Sequence, residues 1–347
     1  MNNRAVGVAQ IITGGAAVVA LLYFLRVILI PFVIAYVLAV LVSALVRFIQ
    51  NRWVRAPAWA VTGLAGLIVI IFAAGGIFAM AQGGAQIVAQ GPALLGRLDA
   101  ILQDLGRSLH LPKPVHLATV VGSISVPQLA GQVLQGLQGL VSGLLLMIVY
   151  FGFLLAGRQR MARKIVYAAG SSRRATTIRN AIAHIATDIE TYIWVQTVTG
   201  LMITAAAAVV MLAVGLNNVL FWAVIFFLLS FIPNIGVTIG SVAPALFALV
   251  QFPSTWQAIT IFGVIQLAAF VVGNLVYPRM QAQTQNIDPL VTMLSLALWS
   301  VLWGIAGAFL AVPMTLMLMM GFAQFKSTRW ITAMLSNDGR PSFPPAR

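Results

Sequence analysis

The chain offers little to acid–base or metal chemistry. Six acids (Asp99, Asp104, Asp188, Glu190, Asp288, Asp338) and three histidines (His110, His116, His184) are spread over 347 residues, and cysteine is absent. Disulfides, thiol catalysis and cysteine metal sites are therefore excluded. There is no HExxH, no mid-span aspartate pair and no Ser/His pairing within an apolar run, so neither an enzyme nor a cofactor is expected. What remains is neutral polar chemistry set beside helix breakers. Pro233-Asn234-Ile235-Gly236 interrupts one apolar stretch. The Asn234 amide, with opened backbone around it, suits a polar solute; Pro-Asn-x-Gly is equally ordinary turn chemistry. Gly304 and Gly307 interrupt a second stretch, where they allow close backbone approach or a flexing gate, or simply helix packing. Asn274 lies one turn before Pro278, which frees the Asn274 carbonyl. That carbonyl and the side chain together form a polar site, or else the side chain only satisfies the kink. Gln266, two turns earlier, extends the stripe, and Gln196 and Thr199 are similar candidates on another span, with interhelical hydrogen bonding as the alternative. Asp288 suits a proton or a cation; followed by Pro289, it suits equally an N-cap before a proline at the first helical position. His184 and Asp188, four apart, make either a pH-sensitive pair or a solvated helix face.

These residues must be positioned by elements that the composition already restricts. Apolar residues make up 61% of the chain and charged residues 7%, against about 45–50% and about 25% in soluble chains. Long apolar runs, rather than alternating ten-residue strands, predict an all-α integral membrane protein and not a barrel. The net charge of +14 does not call for nucleic acid, because basic residues gather in loops that resist translocation.

Five segments follow. Residues 1–81 read as a three-span bundle: Val6–Phe48 is too long for one crossing, the turn is expected near Arg26–Pro31, and the third span is Ala58–Ala81. Residues 82–137 read as an extracytoplasmic amphipathic helical insert, with Ile101, Leu102 and Leu105 at helical spacing beside Asp99, Asp104 and Arg107. Residues 138–191 hold a fourth span and a basic cytoplasmic helical segment, residues 192–321 a transport core, and residues 322–347 a cytoplasmic tail. With both termini cytoplasmic, all but four of the 20 basic residues (Arg26, Arg97, Arg107 and Lys113) lie inside, the bias that sets topology.

The core repeats itself. One unit is a span (Tyr192–Val214), a polar break, an apolar run (Val219–Ile232), the PNIG breaker and a second run (Val237–Val250). The other is a span (Trp256–Tyr277), a polar break, an apolar run (Pro289–Trp303), the GIAG breaker and a second run (Ala308–Met320). Each arm spans roughly 20–24 Å, short of the hydrocarbon core of about 30 Å. The fold expected is therefore about six full spans plus two re-entrant hairpins of inverted topology, or eight or more spans if the hairpins cross fully. Inverted repeats with broken helices are a plan of secondary transporters, with the substrate site where the breaks meet.

The same segments resemble the autoinducer-2 exporter family, a group of permease-like multi-span proteins. The resemblance rests on PFVIAYVLAVLVSALV (Pro31–Val46), FIPNIG (Phe231–Gly236), NLVYPRM (Asn274–Met280) and IDPLVTMLSLALWSVLWGIAGAFLAVPMTL (Ile287–Leu316). It implies export of an autoinducer-2-like signal, or sodium or lithium/proton exchange, by a homo-oligomer in the cytoplasmic membrane. Where the family often has an acid before the NxxxP proline, this chain has Tyr277; where it often has a glycine before the second break, this chain has Ser300. The lack of mid-span acids favours a permease for a small polar organic solute over a cation antiporter. A structural membrane protein without transport is the third reading. The partners expected are the lipid bilayer and the solute.

Overall fold

In a computed structural model of the chain, the described residues are 2–52, 57–108, 143–154, 157, 167, 172–233, 235–281, 287–324 and 327–339. Among them all regular structure is helical: α1 (Asn2–Phe24), α2 (Arg26–Arg52), α3 (Ala58–Ala89), α4 (Gly91–Ser108), α5 (Gly143–Leu154), α6 (Ser172–Val214), α7 (Val219–Ser230), α8 (Ile235–Gln251), α9 (Trp256–Val271), a π-helical turn (Val272–Val276), α10 (Tyr277–Gln281), α11 (Pro289–Gln324) and α12 (Arg329–Leu335). Among the described residues, five stretches are long and apolar enough to cross a membrane: Arg26–Arg47, Ala60–Ile87, Ile189–Val214, Trp256–Met280 and Pro289–Ala323. Large apolar side chains such as Phe24, Val301 and Ile305 stand exposed, the arrangement lipid contact requires. The all-α membrane architecture is thus as the sequence reads.

The chain divides into two units, residues 1–66, 143–194 and 281–347 in one, and 67–142 and 195–280 in the other. In the first unit the turn expected near Arg26–Pro31 falls instead at Leu25. The Leu25 N–H bonds the Leu21 carbonyl at 2.9 Å, and the Leu25 carbonyl accepts from the Leu29 N–H at 2.9 Å. One residue closes one helix and opens the next, which leaves no linker in which to reverse; α1 and α2 meet at a kink. Pro31 lies inside α2. It leaves the Val27 carbonyl without its ladder partner, a loss helices in lipid accommodate. Arg47 of α2 pairs with Glu190 of α6, whose carboxylate is buried. α11 is broken at Gly304 (φ 65°, ψ −141°), and Trp299 Nε1 reaches Thr315 Oγ1 at 3.2 Å, so residues 289–303 and 305–324 lie side by side as a hairpin. α12 then packs back on α11: Thr332 Oγ1 donates to the Met319 carbonyl at 3.0 Å, and the Leu335 carbonyl takes the Asp288 N–H at 3.1 Å.

In the second unit α6 ends at Gly215 (φ 79°). Leu216 N–H bonds the Met211 carbonyl at 2.9 Å and Gly215 N–H the Leu212 carbonyl at 3.1 Å, the paired bonds of a left-handed C-terminal cap. The chain turns through Asn218, also left-handed (φ 59°), and forms the hairpin α7–α8. Its core gathers Met211, Phe226, Phe247, Ala248, Ile261 and Ile265 from α6 to α9. α3 continues to Ala89, beyond the expected Ala81, and Arg97 of α4 donates to the Phe252 carbonyl after α8 at 3.3 Å. The insert's remaining residues (109–137) lie outside the described residues, as does most of 157–171. From Ser172 the basic segment and the fifth span form one uninterrupted helix.

Candidate functional site

The apolar runs of α7 and α8 are separated by Phe231–Asn234, and proline at 233 forbids a continuous ladder. At this first tip, Phe231 and Ile232 donate back to Leu228 and Leu229, and Gly236 N–H bonds the Ile232 carbonyl at 3.0 Å. A Cβ on Gly236 would overlap the Leu229 carbonyl oxygen. Glycine is therefore demanded by close backbone approach, not by its φ. Pro233 is half-buried and Gly236 buried; Asn234, weighed evenly from sequence between a solute-binding and a turn role, lies outside the described residues.

Of the two predicted residues on α6, one reaches this tip. Gln196 Nε2 donates to the Ser230 carbonyl at the end of α7, taking up one of the carbonyls a helix end leaves open. Four residues on, Gly200 faces Ser230, and a Cβ there would stand 2.5 Å from the Ser230 hydroxyl. Thr199 is buried and donates to the Val195 carbonyl of its own helix at 2.7 Å. Gln266 of α9 accepts from the Ser241 hydroxyl of α8 at 3.3 Å. Gln196 of α6 and Gln266 of α9 are therefore each tied by a neutral hydrogen bond to the α7–α8 hairpin that carries Pro233 and Gly236.

Asn274 and Pro278 are arranged differently. Pro278 has no N–H, so the ladder cannot close normally on Asn274; the turn widens, with Tyr277 N–H bonding the Val272 carbonyl. Asn274 Nδ2 donates to the Phe270 carbonyl at 2.8 Å, and the residue is exposed. The side chain thus serves a carbonyl one turn back and not the one that proline frees.

The second tip is built like the first. A Cβ on Gly307 would overlap the Trp299 carbonyl oxygen, as one on Gly236 would overlap that of Leu229. Each breaker so places its last glycine against a carbonyl seven or eight residues back. Gly304 supplies the positive φ. Trp303 Nε1 donates to the Leu22 carbonyl at 2.9 Å, holding this tip against the kink between α1 and α2. Asp288 Oδ1 accepts from Leu290 N–H at 2.8 Å and Val291 N–H at 3.4 Å, the geometry of an N-cap.

The open ends of the hairpins are also tied. Gln251, the last residue of α8, donates to the Gly215 carbonyl at 2.9 Å and accepts from Asn217 N–H at 2.8 Å. In α11 the same closure is made by the Asp288 N–H and the Leu335 carbonyl. Ser230, Gly200, Ser241, Gln251 and Trp303 were not singled out from sequence. The one available signal was a lone polar residue closing an apolar run, at Ser230 and Gln251.

Long apolar helices joined to two broken hairpins define a polytopic membrane protein of transporter type. The chain belongs to the AI-2E transporter family, whose profile matches residues 15–325. It is similar to a Haemophilus influenzae Rd protein named provisionally as a transport protein, 26% identical over 93% of this chain and 95% of that one. It is similar also to YhhT of Escherichia coli K12, provisionally named in the same way, 26% identical over 67% of this chain and 65% of YhhT. The AI-2 transport protein TqsA of the same organism is 24% identical over 90% of this chain and 91% of TqsA. The resemblance seen at PNIG, NLVYP and the IDPLVTMLSLALW block is therefore a family relation.

Proposed function

We propose that the chain is a permease of the cytoplasmic membrane, its C-terminus inside, that moves a small polar organic solute by way of its broken hairpins. The observation that carries the reading is the shared construction of those tips: a breaker, a glycine packed on a carbonyl of the preceding arm, and an open end tied shut. Unligated polar backbone at membrane depth is tolerated only inside protein or along a wet cavity, and a site of amides and carbonyls suits an uncharged, hydroxyl-rich cargo. Length supports re-entrance of the first hairpin: the 12 residues of α7 reach about 18 Å, against a core of about 30 Å. An autoinducer-2-like signal is the first cargo to try, because TqsA carries that name. A homo-oligomer is part of the same reading.

Asp288 as a cap argues against the cation antiporter, since its carboxylate is engaged with two N–H groups. The test is solute efflux from loaded proteoliposomes, with and without a pH gradient. Flux independent of the gradient, and reduced at least tenfold by Gln196→Leu with Asn234→Ala, is expected. Flux of sodium or lithium with counter-moving protons, or no movement of any solute in a panel of polyols, would overturn the reading.

A further inference from the structure

The polarity of α12 runs opposite to that of a helix surrounded by water. Its buried face carries hydroxyls: Thr332 is fully buried and Ser336, just after its last turn, is 7% exposed. Its open face carries Trp330, 62% exposed, and Met334, 72% exposed, one turn apart. The hydroxyls are occupied locally, Thr332 on Met319 and Ser336 on Ala333, so the seat against α11 is polar and the outward stripe apolar. Charge completes the pattern. From 322 onward the chain has Lys326, Arg329, Arg340 and Arg347 against the single acid Asp338.

A helix with an indole and a thioether outward, flanked by cations and a few residues beyond the second arm of α11, matches an anionic lipid surface. Tryptophan favours the headgroup level, where an apolar ring meets water, and cations there gain from anionic lipid. We propose that α12 is an interfacial helix: Trp330 and Met334 lie in the headgroup–acyl boundary of anionic lipid, and Leu335 fastens the open end of the α11 hairpin to that surface. The fastening is the bond from Asp288 N–H to the Leu335 carbonyl. The assignment is independent of which solute the chain carries.

The natural absence of cysteine gives a clean test. A nitrobenzoxadiazole label on Met334→Cys, in the full chain in proteoliposomes containing phosphatidylglycerol, is expected to be quenched by doxyl-lipid and spared by iodide. A label on Asp338→Cys is expected to behave oppositely. Adding Trp330→Gln is expected to raise iodide quenching at position 334 at least threefold. Equal iodide quenching at 334 and 338 would overturn the proposal. So would protection at 334 from both quenchers, which would mean that a protein surface covers the helix. Equal lipid quenching in pure phosphatidylcholine would overturn the anionic-headgroup part.

Discussion

Replacing Gly236 or Gly307 by alanine puts a methyl group where a backbone carbonyl oxygen already stands. Backbone cannot swing aside as a side-chain end does, so each substitution should cost about 1–3 kcal/mol or more and be read as a lowered melting temperature of the purified protein together with lost flux. Gly304→Ala meets a different obstacle. Nothing crowds the position, but φ 65° with ψ −141° is a conformation nearly reserved for glycine, at about 1–3 kcal/mol for other residues. At Asp288 the two roles weighed from sequence separate by one pair of variants. Asparagine caps as well as aspartate, so Asp288→Asn should keep both stability and flux, whereas Asp288→Ala should lose about 1 kcal/mol. Flux abolished in a folded Asp288→Asn protein would return the carboxylate to a coupling role.

The hairpins are legible as elements because their breakers are proline and glycine set inside apolar runs. What the sequence could not convey is what each breaker residue touches. Gly236 and Gly307 read as flexible or small, yet their reason is a carbonyl on the preceding arm. Pro31 marks a helix boundary by its chemistry, but the break lies at Leu25, where no breaker marks it; the Leu22 carbonyl there instead receives Trp303, 281 residues away. Pairings at such distance leave no local trace, and the same holds for Gln196 with Ser230. One element-level prediction follows from that last contact. Gly200→Ala should clash with the Ser230 hydroxyl 2.5 Å away and weaken the packing of α6 on α7. Ser230→Ala, removing the oxygen, should restore most of the loss, and a double-mutant cycle of melting temperatures measures the coupling.

At the scale of the whole chain, the span-length helices were readable from hydropathy and length alone, and the family relation covers residues 15–325. A membrane-impermeant thiol reagent added outside cells should modify Thr255→Cys, beside the open end of the first hairpin, and spare Ile305→Cys, at the second tip and 82% exposed within the protein. Equal modification of both would make the second hairpin a pair of full crossings. The tied open ends carry one more consequence. With Gln251 tying the end of α8 to the turn before α7, and Leu335 of α12 tied to the start of α11, splaying either pair costs its closing hydrogen bonds, about 0.5–1.5 kcal/mol each. On the permease reading proposed above, tilting each pair as one blade is then the cheaper motion, and Gln251→Ala should raise passive leak through proteoliposomes.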